Sequence, residues 1–179
     1  MPGVASGGRH DDAKAASMTP TLWLASTGFI ATAVSFGPAR MGFGLFLPTF
    51  REAFTLSSTL AGVIASLGFL AFLVALPLTA WLSERIGQRA PILLGTLSAT
   101  VGFVAVATAS GTAGLAAGIA LAGASAGFCW APFNDAAERV VPGEARAGAL
   151  SAVSTGTTVG VAAAGALFLG VTVGTVDWR

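Results

Sequence analysis

The chain has 179 residues, of which 54% are hydrophobic and only 9% are charged, and its formal net charge is +1. Soluble domains usually carry about 25% charged residues, whereas this chain has a mean hydropathy of +0.80. The composition therefore excludes an ordinary soluble domain and indicates a membrane protein. We expect the lipid bilayer as its surroundings, and no nucleic acid, metal or cofactor as a partner.

The charged residues leave long uncharged runs, among them 53–83, 90–134 and 147–176. A membrane-spanning helix needs about 20 apolar residues, so the middle run is long enough for two spans with a turn between them. We predict five spans, at 22–47, 60–82, 91–109, 115–133 and 148–171. Runs of this kind lack the polar alternation of barrel strands. The predicted fold class is all-α, a polytopic transmembrane helix bundle over residues 18–179.

Residues 1–17 are small and polar and show no apolar periodicity, so they predict a flexible tail. His10 lies in this tail, with no second histidine or cysteine near it. The rival interpretation is a signal peptide cleaved after 31–33. We favour an uncleaved first span because the apolar run continues beyond that point.

Arg40 is a charged residue inside the first predicted span. A charge at such a depth costs roughly 2.5 to 3.5 kcal/mol on insertion scales, so it normally faces a cavity or a partner. Helical spacing places Gly37 and Gly44 on its face, where they would leave room for a solute. Two interpretations stay open. Arg40 points into the bundle and contacts an anionic substrate or serves a proton path, or it extends toward the outer interface.

Orientation follows from the cations outside the spans. With the N-terminus in the cytoplasm, the outer segments hold Arg51 and Arg179, and the inner segments hold six cations. These are Arg9, Lys14, Arg85, Arg89, Arg139 and Arg146. The excess predicts a multi-pass protein of the cytoplasmic (inner) membrane with its N-terminus inside, so that residues 1–17 form a cytoplasmic tail.

The stretch "AWLSERIGQRA" at 80–90 concentrates charge between the second and third spans. Cations in a short inner loop hold the orientation, and Gly87 permits a tight reversal. Neither reason accounts for Glu84. With the residues that follow, the stretch resembles the signature loop of the major facilitator superfamily. The matching positions are Leu82, Arg85, Gly87 and Arg89, with Glu84 in place of an aspartate.

A second stretch, "ERVVPGEARAGALSAVSTGTTVG", resembles the loop of the same family that leads from helix four into helix five. Its matching positions are Pro142, Arg146 and Gly148. The resemblance covers residues 22–179 and implies an all-α bundle of about five spans of a six-helix half. It also implies a transporter that moves a small solute by alternating access, with a proton as one candidate coupling ion.

In this family the signature loop joins the cytoplasmic ends of the two halves, so the resemblance implies that Glu84, Arg85 and Arg89 form a gate. The competing interpretation is that they serve orientation only. Transporters of this family consist of two six-helix halves. After five predicted spans, we expect a truncated chain whose second half is missing.

Two polar residues and one row of small residues complete the candidates. Asn134 and Asp135 either couple protons or substrate, or mark the end of helix four. Small residues every four positions along helix five predict close helix packing, and they are Ala152, Gly156, Gly160 and Ala164. Cys129, the single cysteine, is expected to serve packing.

Two other classes compete with a transporter. A small membrane protein with a structural or assembly role would explain the length without truncation. An integral membrane enzyme would need acids, bases or metal ligands that converge near one interface. The sequence shows no such set, so we expect no enzyme activity.

Overall fold

The structure, a computed structural model, describes residues 7–174. It contains α1 (Gly7–Phe36), a π-helical segment (Gly37–Met41), α2 (Gly42–Leu45), α3 (Leu47–Phe54), α4 (Ser58–Ile86), α5 (Arg89–Ala107), α6 (Thr112–Val140) and α7 (Gly143–Thr172). No strand occurs in this described range. Five stretches are long and apolar enough to cross a membrane, namely Pro20–Leu45, α4, α5, α6 and α7. The predicted all-α class with five spans is confirmed.

The N-terminal segment differs from the flexible tail that the sequence predicts. α1 begins at Gly7, so it includes residues 7–17. Adding a residue to an existing helix costs little compared with starting a helix, and the apolar span that follows supplies the start. Residues 1–6 of the predicted tail lie outside the described residues, as does Arg179, one of the two cations on the predicted outer side.

The first span, Pro20–Leu45, changes its helical form at Pro38. Proline has no backbone N–H and clashes with the carbonyl four residues earlier, and π-helical turns are commonly found at such interruptions of a helix. The π-helical segment, Gly37–Met41, contains Arg40, and α2 completes the span. Arg40 therefore lies on an irregular turn inside the bundle.

The helices continue past the predicted boundaries at the end of the bundle that carries residues 80–90. α6 runs to Val140 instead of ending near residue 133, and α7 begins at Gly143 instead of Gly148. Asn134 and Asp135 are therefore inside α6, and they do not mark its end. Hydropathy detects only the part of a helix that fits hydrocarbon, whereas its backbone hydrogen bonds continue through the polar interface.

α6 is the central helix of the bundle. Of its most apolar stretch 56% is buried, against 22% to 28% in the other four spans. It packs against α4 on one side and α5 on the other, and the first span lies between α6 and α7. Leucines that point away from these contacts are exposed, as at Leu73, Leu97 and Leu169. Such faces are suited to lipid.

Small residues bring the helices of this bundle into close contact. A Cβ atom at Gly123 of α6 would lie 3.0 Å from the Cα of Gly68 in α4. One at Gly102 of α5 would lie 2.9 Å from the Cα of Ala122 in α6. These distances are too short for a real side chain. The close packing of α6 against α4 and α5 therefore requires glycine at these positions.

Candidate functional site

Arg40 extends from the π-helical segment toward the middle of α4. Its guanidinium carbon lies 3.9 Å from the ring centroid of Phe72 and 5.3 Å from that of Phe69. Phe36, one turn earlier in the first span, has its ring centroid at 5.5 Å. Three aromatic rings therefore surround one cation, an arrangement that gains cation–π attraction in a desolvated site.

The direction of the Arg40 side chain follows from helix geometry. A Cβ atom tilts toward the N-terminus of its helix, which for the first span is away from the end that carries α3. Phe72 lies 14 residues beyond Ser58, where α4 begins, or about 21 Å along the axis at 1.5 Å per residue. The guanidinium thus lies about halfway along α4, and it does not extend toward the end that carries α3.

Arg40 has no counter-charge among the described residues. Its Nε atom is buried and donates no hydrogen bond, and the only ion pair of the described side chains joins Arg139 to Asp135. The acidic residues of the long helices lie near helix ends, as Glu84 and Glu144 do. A guanidinium has five N–H donors, and the four on the Nη atoms of Arg40 have no acceptor among the described residues.

A cavity of about 200 Å³ lies beside Arg40, between the first span, α4 and α6. Its walls are aromatic, aliphatic or without side chains. The lining residues include Phe43, Gly44, Ala65, Gly68, Phe69 and Gly123. Gly68 and Gly123, which bring α4 and α6 into close contact, form part of its wall.

Gly44 lines the cavity as predicted from its spacing to Arg40, but Gly37 does not. Gly37 instead faces Gly160 of α7. The prediction assumed a regular α-helix, whereas a π-helical turn takes an additional residue and shifts which positions share a face. Phe69 and Phe72 were missed in the sequence because no local pattern relates α4 to the first span.

At the other site of interest, residues 80–90 pack against the end of α6. Gln88 donates a hydrogen bond from Nε2 to Oδ2 of Asp135, and the Nε of Arg139 lies 3.1 Å from Oδ1 of the same carboxylate. Asp135 therefore connects the turn between α4 and α5 to α6. This contact also confirms that residues 80–90 and Arg139 lie at one end of the bundle.

Of the other residues of the signature loop resemblance, Glu84 and Gly87 line one cavity with Asp135, whereas Arg85 and Arg89 do not. Glu84, Arg85 and Arg89 are exposed, and Leu82 is half-buried in the last turns of α4. The Arg85 guanidinium carbon lies 5.1 Å from the Trp81 ring centroid. Gly87 ends α4 with a φ of +83°, a backbone conformation that favours glycine. The three charges are thus on the surface at that end, free to meet a second surface.

The remaining candidates occupy ordinary structural positions. Asn134 donates from Nδ2 to the carbonyl of Trp130 in its own helix, at 2.8 Å. Pro142 directly precedes α7, and both Arg146 and Gly148 are in the first turns of that helix instead of a loop. The Arg146 Nη2 atom lies 3.4 Å from the carbonyl oxygen of Val141, to which it donates.

The small residues of helix five lie along the contact between α7 and the first span. Gly156, Gly160 and Ala164 are buried and Ala152 is half-buried. Cβ atoms at Gly156 and Gly160 would overlap main-chain oxygens of the first span. Beside them, the Thr32 hydroxyl donates to the Val153 carbonyl at 2.7 Å.

Five membrane-length helices around an interior charge define a polytopic helical membrane protein. Residues 24–179 match the family model of the Major Facilitator Superfamily. Because the match covers most of the chain, the chain belongs to the major facilitator superfamily, whose members are membrane transporters. No individual curated protein matches the sequence.

Proposed function

We propose that this chain forms a helix bundle of a secondary transporter that moves a small solute by alternating access, with Arg40 as a residue that contacts the solute. One observation carries the proposal: the Arg40 guanidinium lies about halfway along α4, beside a cavity, with no counter-charge among the described residues. A charge inside a membrane-spanning segment is costly. A site that binds anions gives a reason for it, whereas a purely structural or assembly role does not.

Alternating access needs a second bundle that moves against the first around a site at the membrane midplane. The exposed residues Glu84, Arg85 and Arg89 are available for contact with that bundle, so we assign them to a cytoplasmic gate. Their exposure supports this role because charges committed within this bundle could not reach another. The protein would lie in the cytoplasmic membrane with its N-terminus inside.

Asp135 is better suited to holding the gate than to carrying protons. Its carboxylate already has two partners, Gln88 and Arg139, near the end of α6, far along the helix from the cavity beside Arg40. Asn134 bonds to its own helix. We therefore assign solute contact to Arg40 and loop attachment to Asp135.

Uptake into membrane vesicles tests the transport function. The complete protein is expressed, and the vesicles are given a panel of radiolabelled small solutes with and without an imposed proton gradient. We expect uptake of at least one solute, and its loss in Arg40→Ala with an unchanged amount of protein in the membrane. The charge removed opposes insertion, so poor insertion of the alanine variant is not expected. Normal uptake by Arg40→Ala would contradict the assigned role.

A further inference from the structure

The chemistry of the cavity beside Arg40 restricts what the cavity can bind. Arg40 is the one charged side chain among its described lining residues, and the lining contains no serine, threonine, asparagine or glutamine. Hydrogen bonding therefore comes from a single guanidinium. The other walls offer ring carbons, methyl groups and the backbone beside glycines, so the cavity combines one strong donor group with apolar contact on its remaining sides.

The rings around Arg40 restrict how a partner approaches it. Phe72 covers one face of the guanidinium, with 3.9 Å between the guanidinium carbon and the ring centroid. Contact with that face occupies the π surface of the cation and leaves its N–H groups, which point outward in the guanidinium plane, unhindered by the ring. Two parallel N–H donors in one plane match the two oxygens of a carboxylate.

We infer that the cavity binds a small organic monoanion with one carboxylate on an apolar body, such as an aromatic or medium-chain aliphatic acid. The inference rests on the proposed transport function and specifies its substrate class. The carboxylate pairs with the guanidinium of Arg40, and the apolar body contacts Phe69, Phe43 and the wall beside Gly123. A pairing of this kind supplies the missing counter-charge and leaves the apolar site without net charge.

Inorganic phosphate and other compact polyvalent anions fit this cavity poorly. Their oxygens point in several directions and need donors from several sides, whereas all the donor groups here come from one side chain. The volume of the cavity also restricts the ligand. Pockets for drug-sized molecules usually measure about 300 to 1,000 Å³, so a cavity of about 200 Å³ selects small molecules.

Equilibrium dialysis of radiolabelled benzoate against the purified chain in detergent tests the inference. We expect saturable binding that unlabelled benzoate and hexanoate displace. Neutral benzamide has the same ring without the charge, and inorganic phosphate has the charge without the apolar body. Neither should displace benzoate at a tenfold higher concentration. This comparison uses the unaltered chain, so it does not depend on the folding of any variant.

Variants then locate the site. Arg40→Ala should weaken benzoate binding at least tenfold, and Arg40→Lys should recover only part of it because an ammonium group cannot pair bidentately. Phe72→Leu should weaken binding less than Arg40→Ala. Arg51→Ala is the matched control, since Arg51 is exposed on α3 outside the cavity lining. Its affinity for benzoate should equal that of the unaltered chain.

Three results with the unaltered chain would overturn the inference. They are benzamide competing as well as benzoate, phosphate competing better than benzoate, and no saturable benzoate binding at all. Benzoate binding that persists in Arg40→Ala would also overturn it. The proposed transport function can fail separately. If benzoate binds through Arg40 but vesicles take up no solute, transport is refuted and the binding site stands. If vesicles take up phosphate in a way that depends on Arg40, the proposed class of carboxylate ligands is refuted and the transport function stands.

Discussion

Gly37 and Gly160 meet where the first span crosses α7, and a Cβ atom on Gly37 would overlap the main chain of Gly160. A Cβ atom on Gly160 would likewise overlap the carbonyl group of Ala33. Gly37 is the first residue of the π-helical segment that carries Arg40. The contact therefore holds the backbone of the candidate solute site against α7.

Gly160→Ala should destabilise the bundle by about 2 kcal/mol, since overpacking of a close contact typically costs 1 to 3 kcal/mol and the atoms that would have to move are backbone. The free energy of unfolding in mixed detergent micelles measures the effect. Gly165→Ala is the control on the same helix, because nothing lies within 4 Å of its Cβ position. Equal stabilities of the two variants would show that α7 does not pack on the first span this closely.

Gly87→Ala should lower the free energy of unfolding by about 2 kcal/mol. Its φ of +83° belongs to a region where other residues are strained by 1 to 3 kcal/mol, although there is open space around its Cβ position. The comparison is Gly111→Ala, at the start of α6, which also has open space and an extended backbone with a φ of −163°. If neither substitution lowered the free energy of unfolding, Gly87 would not have the positive φ of this tight turn between α4 and α5.

Gln88 and Asp135 should show energetic coupling. A double-mutant cycle with Gln88→Ala and Asp135→Ala should give about 1 kcal/mol, the usual contribution of a hydrogen bond to stability. The cycle between Asp135 and Arg139 should give less, about 0.3 to 0.5 kcal/mol, because that pair is more exposed and lies within one helix. Both values come from denaturation curves. A zero coupling for Gln88 with Asp135 would mean that the turn is not attached to α6 through this bond.

Single cysteines should report the orientation of the bundle. In a Cys129→Ala background, Ser110→Cys lies in the exposed connection between α5 and α6, and Ala147→Cys lies on an exposed position at the start of α7. With the N-terminus inside, a membrane-impermeant maleimide should label Ser110→Cys in intact cells. It should label Ala147→Cys only after the cells are made permeable. The opposite pattern would reverse the predicted topology.

The spans and their order could be predicted from the sequence because hydrophobicity is a sum over about 20 neighbouring residues. The predictions missed helix ends, as in α6, since helical hydrogen bonding continues through Asn134 and Asp135 into the polar interface. They also placed Gly37 beside Arg40 by assuming a regular helix. A local break at Pro38 was visible in the sequence, but its effect on register was not.

The sequence by itself determined that the chain is a five-span helical membrane protein, that a charge lies within its first span, and that small residues recur along its last span. Each of these is a property of one segment. The tertiary structure alone decided that Arg40 points toward the middle of α4 and that Phe69 and Phe72 lie around it. It also decided that Gln88 donates a hydrogen bond to Asp135. These contacts join segments about 30 or more positions apart. They depend on how closely the glycines let the helices approach each other. This distance cannot be predicted from the sequence of one segment.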